Sequence, residues 1–75
     1  MPKLPVVSGK QVIQVLQKVG YAVARQRSSH IRLSHSKRES VTVPDYKTIG
    51  RGLLRKILRD AQMPAEEFIH LFKQK

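Results

Sequence analysis

Apolar residues along this chain change period twice, from helical to strand-like and back. Val12, Ile13, Leu16 and Val19 recur at helical spacing, with Lys10, Gln14, Gln17 and Lys18 on the polar side. Ser8 followed by Gln11 has the spacing of a capping box. Gly20 stands where a left-handed residue closes a helix. The pattern predicts a first helix from about Gly9 to Val19. Pro2 and Pro5 before it predict an extended lead-in.

From Tyr21 the period becomes two. Tyr21 to Arg27 reads as one strand, Ser28-Ser29 as a tight turn, and His30 to Ser34 as a second strand. In that second strand Ile31 and Leu33 take one face, while His30, Arg32 and Ser34 take the other. A polar loop from His35 to Glu39 leads to a short third strand, Ser40 to Val43, stopped by Pro44. Val41 and Val43 share a face, with Thr42 opposite. Short connections between consecutive strands predict an antiparallel meander.

The helical period then returns. Gly50 and Gly52 bracket a second helix start, with Leu53, Leu54, Ile57, Leu58 and Ala61 as its apolar face. Arg51, Arg55 and Arg59 recur every four residues on another side, with Lys56 beside them. Met63-Pro64 breaks that helix. Pro64, then Glu66 and Glu67, then Lys73 and Lys75 mark the start and end of a third. Phe68, Ile69, Leu71 and Phe72 are its apolar residues. The predicted class is α+β, in the order α-β-β-β-α-α, with the helices on one face of a three-stranded antiparallel sheet. Ile31, Leu33, Val41 and Val43 then join the core, and His30, Arg32 and Thr42 remain on the open face.

Composition narrows the partners. Seventy-five residues suffice for one small domain, here residues 1–75. Fifteen Lys and Arg against five Asp and Glu give a formal charge of +10, spread from Lys3 to Lys75. A folded surface so basic is the footprint of a polyanion binder, nucleic acid ahead of anionic lipid. The absence of cysteine removes disulfides and thiolate metal sites. No apolar run approaches the ~20 residues of a membrane span, and Met1 to Pro5 lacks the apolar stretch of a signal peptide. A cytoplasmic protein with no membrane contact is the expectation.

One segment carries candidate chemistry. Arg25-Gln26-Arg27-Ser28-Ser29-His30-Ile31-Arg32 sets an imidazole among three arginines. Histidine moves protons near neutral pH, and arginine grips phosphate with paired hydrogen bonds. Cleaving RNA without a metal needs a proton acceptor for the 2′-hydroxyl, a donor for the leaving oxygen and positive charge on the phosphorane. His30 can take one proton role, and Arg25, Arg27 and Arg32 the charge. The bland alternative is a surface histidine that merely touches phosphate. His35 reads as a solvated loop residue and His70 as a helix-surface residue. These histidines and the five scattered carboxylates show no metal-ligand spacing, so neither a metal nor another cofactor is expected. The Arg51, Arg55, Lys56 and Arg59 stripe reads as either a solvated helix face or a track for RNA phosphates. Aromatic platforms for base stacking are scarce. Tyr21 and Tyr46 are the only tyrosines, and Phe68 and Phe72 read as core.

Taken in order, Ser8-Gly9-Lys10, Gly20-Tyr21, Arg25 to His30, Val41-Thr42-Val43-Pro44 and Gly52 to Leu58 resemble the HicA/YcfA family. These are the small toxins of HicA–HicB toxin–antitoxin systems. The likeness extends to Glu66-Glu67-Phe68. It implies a fold like a double-stranded-RNA-binding domain and activity as an mRNA endonuclease that arrests translation. It also implies a HicB-type antitoxin partner that masks the site. The family's key histidine follows Gly-Ser, and Ser29-His30 occupy the matching positions. Ser28 stands where the family usually has glycine, and Tyr46 where many relatives have a second histidine. Three functions follow as alternatives: a metal-independent endoribonuclease using His30, a non-catalytic double-stranded-RNA-type binding module, or a degenerate toxin kept for its protein contacts.

Overall fold

The computed structural model describes residues 3–74. Pro2 of the expected lead-in and Lys75 of the expected last helix lie outside them. The elements are α1 (Gly9–Lys18), β1 (Ala22–Arg27), β2 (His30–Ser34), β3 (Val41–Pro44), α2 (Arg51–Asp60) and α3 (Ala65–Lys73). The strands form one antiparallel sheet in the order β1-β2-β3. This is the predicted α+β meander, with the element order of a double-stranded-RNA-binding domain extended by a final helix.

Local chemistry starts and stops the helices. The Ser8 hydroxyl accepts from the Gln11 amide at 3.2 Å, and the Gln11 side chain accepts from the Ser8 amide at 2.9 Å. That is the capping box the spacing implied. Past the end of α1, Gly20 takes φ +103°. Its amide and that of Tyr21 donate back to Gln17 and Leu16, a Schellman closure. The same closure ends α2, where Gln62 adopts φ +58° and Met63 donates to Leu58. Glutamine gives no sequence warning of such a turn, so α2 stops at Asp60 before the Met63-Pro64 break can act. At the end of α3, Lys18 Nζ donates to the carbonyls of Leu71 and Gln74 at 2.7 and 3.2 Å. A cation on helix C-terminal carbonyls satisfies otherwise unpaired acceptors.

Period-two alternation divides the two inner strands cleanly. Ile31, Leu33, Val41 and Val43 are buried with Val12, Leu16, Leu54, Ile57, Leu58 and Phe68 in a single cluster. Two expectations shift. Leu53, assigned to the apolar face of α2, is 37% exposed. No residue of β1 is buried, so that strand projects past the helices as an open edge. Tyr21, just before β1, is the last residue there to enter the core.

Helix and sheet approach closely at Gly9. Its amide donates to the Tyr46 carbonyl at 2.9 Å. A Cβ there would collide with the Pro44 carbonyl oxygen and fall 3.1 Å from the Asp45 Cα. Both obstacles are backbone, and neither can rotate away. Replacing a helical glycine by alanine ordinarily stabilises by about 1 kcal/mol. Here Gly9→Ala is expected to reverse that sign and cost about 2 kcal/mol or more through overpacking. A lower urea midpoint at constant slope is the expected measurement, and an unchanged midpoint would refute the close packing.

Candidate functional site

The β1–β2 hairpin assembles the candidate residues. Its two-residue turn has φ +55° at Ser28, with no positive φ at Ser29. This is the φ signature of a type II′ hairpin, whose first central position suits glycine. Ladder pairs run Val23 with Leu33, then Arg25 with Arg32, Gln26 with Ile31 and Arg27 with His30. Ala24 is therefore an extra residue, a β-bulge between Val23 and Arg25. Cross-strand partners share a face. The bulge thus keeps Val23 on the side of Leu33 and turns Arg25 and Arg27 to the side of His30.

Two rows of cross-strand partners result, exposed except at buried Pro44. One runs Arg25, Arg32, Thr42, and the other Arg27, His30, Pro44. Arg25, Arg27, His30 and Arg32 are all exposed. Arg32 Nη1 donates to the Thr42 hydroxyl at 3.4 Å, which leans its guanidinium across the sheet. Among the described residues no side chain hydrogen-bonds the His30 ring. Ser29, the other expected contact, holds the turn through its backbone, since its carbonyl accepts from the Asp45 amide at 2.6 Å.

That hydrogen bond brings an unexpected group of residues to the His30 end of the sheet. Ser8, Lys10, Asp45, Tyr46 and Lys47 line a recess of about 260 Å³ where β3 leaves the sheet and α1 begins. Arg38, by contrast, lies in the β2–β3 loop, at the far end of β2 from His30. At ~3.3 Å per residue, four steps of strand separate the two ends by roughly 13 Å.

The far end is structural. His35 Nδ1 accepts from the Lys37 amide at 2.9 Å, so its Nε2 carries the proton and donates to the Val19 carbonyl at 2.8 Å. Its ring lies 4.9 Å from that of Tyr21, and any Cβ on Gly20 would come within 3.0 Å of Nε2. The Tyr21 hydroxyl in turn donates to the Glu39 carbonyl at 2.7 Å. Burial raises the Tyr21 phenol above its ordinary pKa, with Arg38 opposing and Glu39 reinforcing the shift. His35 is thus a fully engaged bracket between α1 and the β2–β3 loop.

The cations of α2 stand on the helical side of the molecule, apart from the open sheet face. Arg51 Nε donates to the Leu4 carbonyl at 2.6 Å and pins the N-terminal segment. Arg55, Lys56 and Arg59 rim a groove of about 350 Å³ floored by Leu4, Leu58 and Met63. Lys56 also makes the one ion pair among the described residues, 3.5 Å from exposed Asp60. A pair so open to water contributes little. The positive field of the helix is nearly undiminished.

A family model described as the HicA toxin of bacterial toxin–antitoxin matches residues 9–63. The chain belongs to the HicA toxin family. Comparison with curated proteins yields no match. The family match runs from the Gly9 contact through the Met63 closure and includes every expected site residue. It ends before α3, so Glu66-Glu67-Phe68 falls beyond it. As a HicA-family toxin, the protein has an antitoxin as its partner. No helix among the described residues is long and apolar enough to cross a membrane.

Within this HicA chain, Ser28 holds a backbone conformation that glycine would take freely. A non-glycine residue in the left-handed region costs about 1–2 kcal/mol, partly offset by the ~0.5–1 kcal/mol of backbone entropy that glycine loses on folding. Ser28→Gly should therefore raise stability by about 0.5–1 kcal/mol, read as a higher urea midpoint. A drop would show that the serine side chain contributes something the turn geometry does not reveal. The two histidines should separate just as cleanly. His35→Ala should cost about 2–3 kcal/mol through two lost hydrogen bonds and lost packing. His30→Ala, at an exposed position, should stay within about 0.5 kcal/mol of the parent. Equal losses in thermal or urea unfolding would overturn this division of roles.

Proposed function

We propose that this HicA toxin is a metal-independent endoribonuclease that cuts mRNA and arrests translation. His30 acts as the general acid/base, and Arg25, Arg27 and Arg32 stabilise the charge on the phosphorane. The observation that carries this reading is the open-face arrangement. An unencumbered imidazole stands directly across from Arg27 and two residues from Arg32 on the same face. Phosphate laid along those rows would meet guanidinium groups on two strands while His30 stayed free to move a proton.

In the proposed reaction His30 accepts the proton of a 2′-hydroxyl as that oxygen attacks the adjacent phosphorus. The bond from phosphorus to the 5′-oxygen breaks, and the leaving oxygen takes a proton from water on the exposed face. The products are a 2′,3′-cyclic phosphate and a 5′-hydroxyl end. Ser29 fixes the turn that presents His30. Arg51, Arg55, Lys56 and Arg59 supply a second, sequence-independent attraction for the backbone of a longer RNA. The antitoxin is of HicB type and silences the toxin by covering the His30 face. Its binding surface should be acidic, to complement a chain of charge +10.

A non-catalytic RNA-binding module draws support from one observation: among the described residues no second side chain orients the His30 ring. Catalytic bases are commonly held by a third group. The deciding experiment uses purified wild type and His30→Ala with RNA in the presence of a chelator, with product ends identified. Wild type should leave cyclic phosphates, His30→Ala should lose about 10²–10⁴-fold in rate, and a 2′-deoxy substrate should stay intact. Equal cleavage by the two proteins would remove His30 from the chemistry. Binding without cleavage by wild type would favour the module.

A further inference from the structure

The recess beside His30 has a composition that the open sheet face lacks. Tyr46 brings an aromatic ring to this end of the sheet and is 48% exposed. Lys10 and Lys47 share the lining with it, and Asp45 supplies the only carboxylate there. An exposed ring in a lining that also holds two lysines offers a π-face to a base and positive charge to its phosphates. At about 260 Å³ the space lies just below the ~300–1,000 Å³ of typical small-molecule sites, a size suited to one base.

The recess is also built on rigid backbone. The Asp45 amide is tied to Ser29, the residue before His30, and the Tyr46 carbonyl accepts from Gly9 at the head of α1. Gly9 is packed so tightly on Pro44 and Asp45 that the two segments cannot separate without unpacking α1. Pro44 is itself the ladder partner of His30. The ring of Tyr46 therefore stands on a backbone frame shared with the imidazole. Such a frame preorganises a ligand contact instead of leaving it to a mobile loop.

We propose that this recess is a nucleotide subsite for single-stranded RNA. The base next to the phosphate at His30 stacks on Tyr46, Lys10 and Lys47 hold the flanking phosphates, and Asp45 accepts from the base's amino group. The proposal rests on the RNA-cleaving reading for the position of the phosphate, but not for binding itself. It also assigns a use to the exposed ring of Tyr46. A base that presents an amino group would satisfy Asp45, whose carboxylate only accepts hydrogen bonds.

Binding is best measured in a His30→Ala background, where the RNA stays intact, using a short single strand carrying 2-aminopurine. Wild-type Tyr46 should quench the probe. Tyr46→Phe should retain both quenching and affinity, whereas Tyr46→Ala should lose quenching and bind roughly tenfold more weakly. Lys10→Ala with Lys47→Ala should flatten the salt dependence of binding by about one to two units of slope. Undiminished affinity and quenching in Tyr46→Ala would overturn the subsite, even if the parent protein cleaves RNA. Quenching that survives in a parent that cleaves nothing would leave the subsite standing and remove only the chemistry.

Discussion

Side chains on a strand alternate faces with a period of two, and that constraint decides what stands beside His30. In an unbroken β1, Val23, Arg25 and Arg27 would share one face. With Val23 opposite buried Leu33, both arginines would then point to the side of the core. One extra residue, Ala24, resets the alternation and turns them outward. The two-residue turn at Ser28 closes the hairpin so that Arg27 meets His30 directly. Three arginines and one imidazole share a surface because of a bulge and a strained turn, and the remaining fold supports that register.

The two ends of the sheet are finished by different means. At one end, His35, Tyr21 and Gly20 lock the close of α1 to the β2–β3 loop through hydrogen bonds that use both imidazole nitrogens. At the other, α1 begins against the exit of β3, and Gly9 replaces side-chain packing with backbone contact. A histidine with both nitrogens committed has no capacity left for substrate. A histidine with neither nitrogen held is free for it. The same residue type thus serves as bracket and as candidate catalyst, five positions apart, according to what its strand end leaves around it.

Much of this architecture was legible in the residues because it follows periods and caps. The alternation of His30 to Ser34, the Ser8–Gln11 box and the Gly20 closure each have a local signature that tertiary packing preserved. The misses lack such a signature. A bulge at Ala24 looks like uninterrupted strand, since alanine and its neighbours fit either face. Gln62 adopts a left-handed turn that glycine or asparagine would have announced. Leu53 satisfies a helical period yet sits at the margin of the buried stripe, where geometry exposes it. The His30 and Arg32 placement needed only alternation. The Asp45-Tyr46-Lys47 recess needed knowledge of where α1 lands on the sheet, which no local pattern contains. Arg51 read as one more cation of a stripe, and its tie to the Leu4 carbonyl was equally out of reach.

No residue of β1 is buried, so the ladder to β2 is its principal attachment. Segments with few buried apolar contacts open at a small fraction of the global unfolding free energy. Two of the three arginines around His30 therefore ride on the least anchored strand of the fold. A polyanion lying across the sheet would hold that strand against local opening. The return is tolerance: a compliant arginine edge can follow backbones of different curvature, while the imidazole, mounted on the central strand, keeps its place.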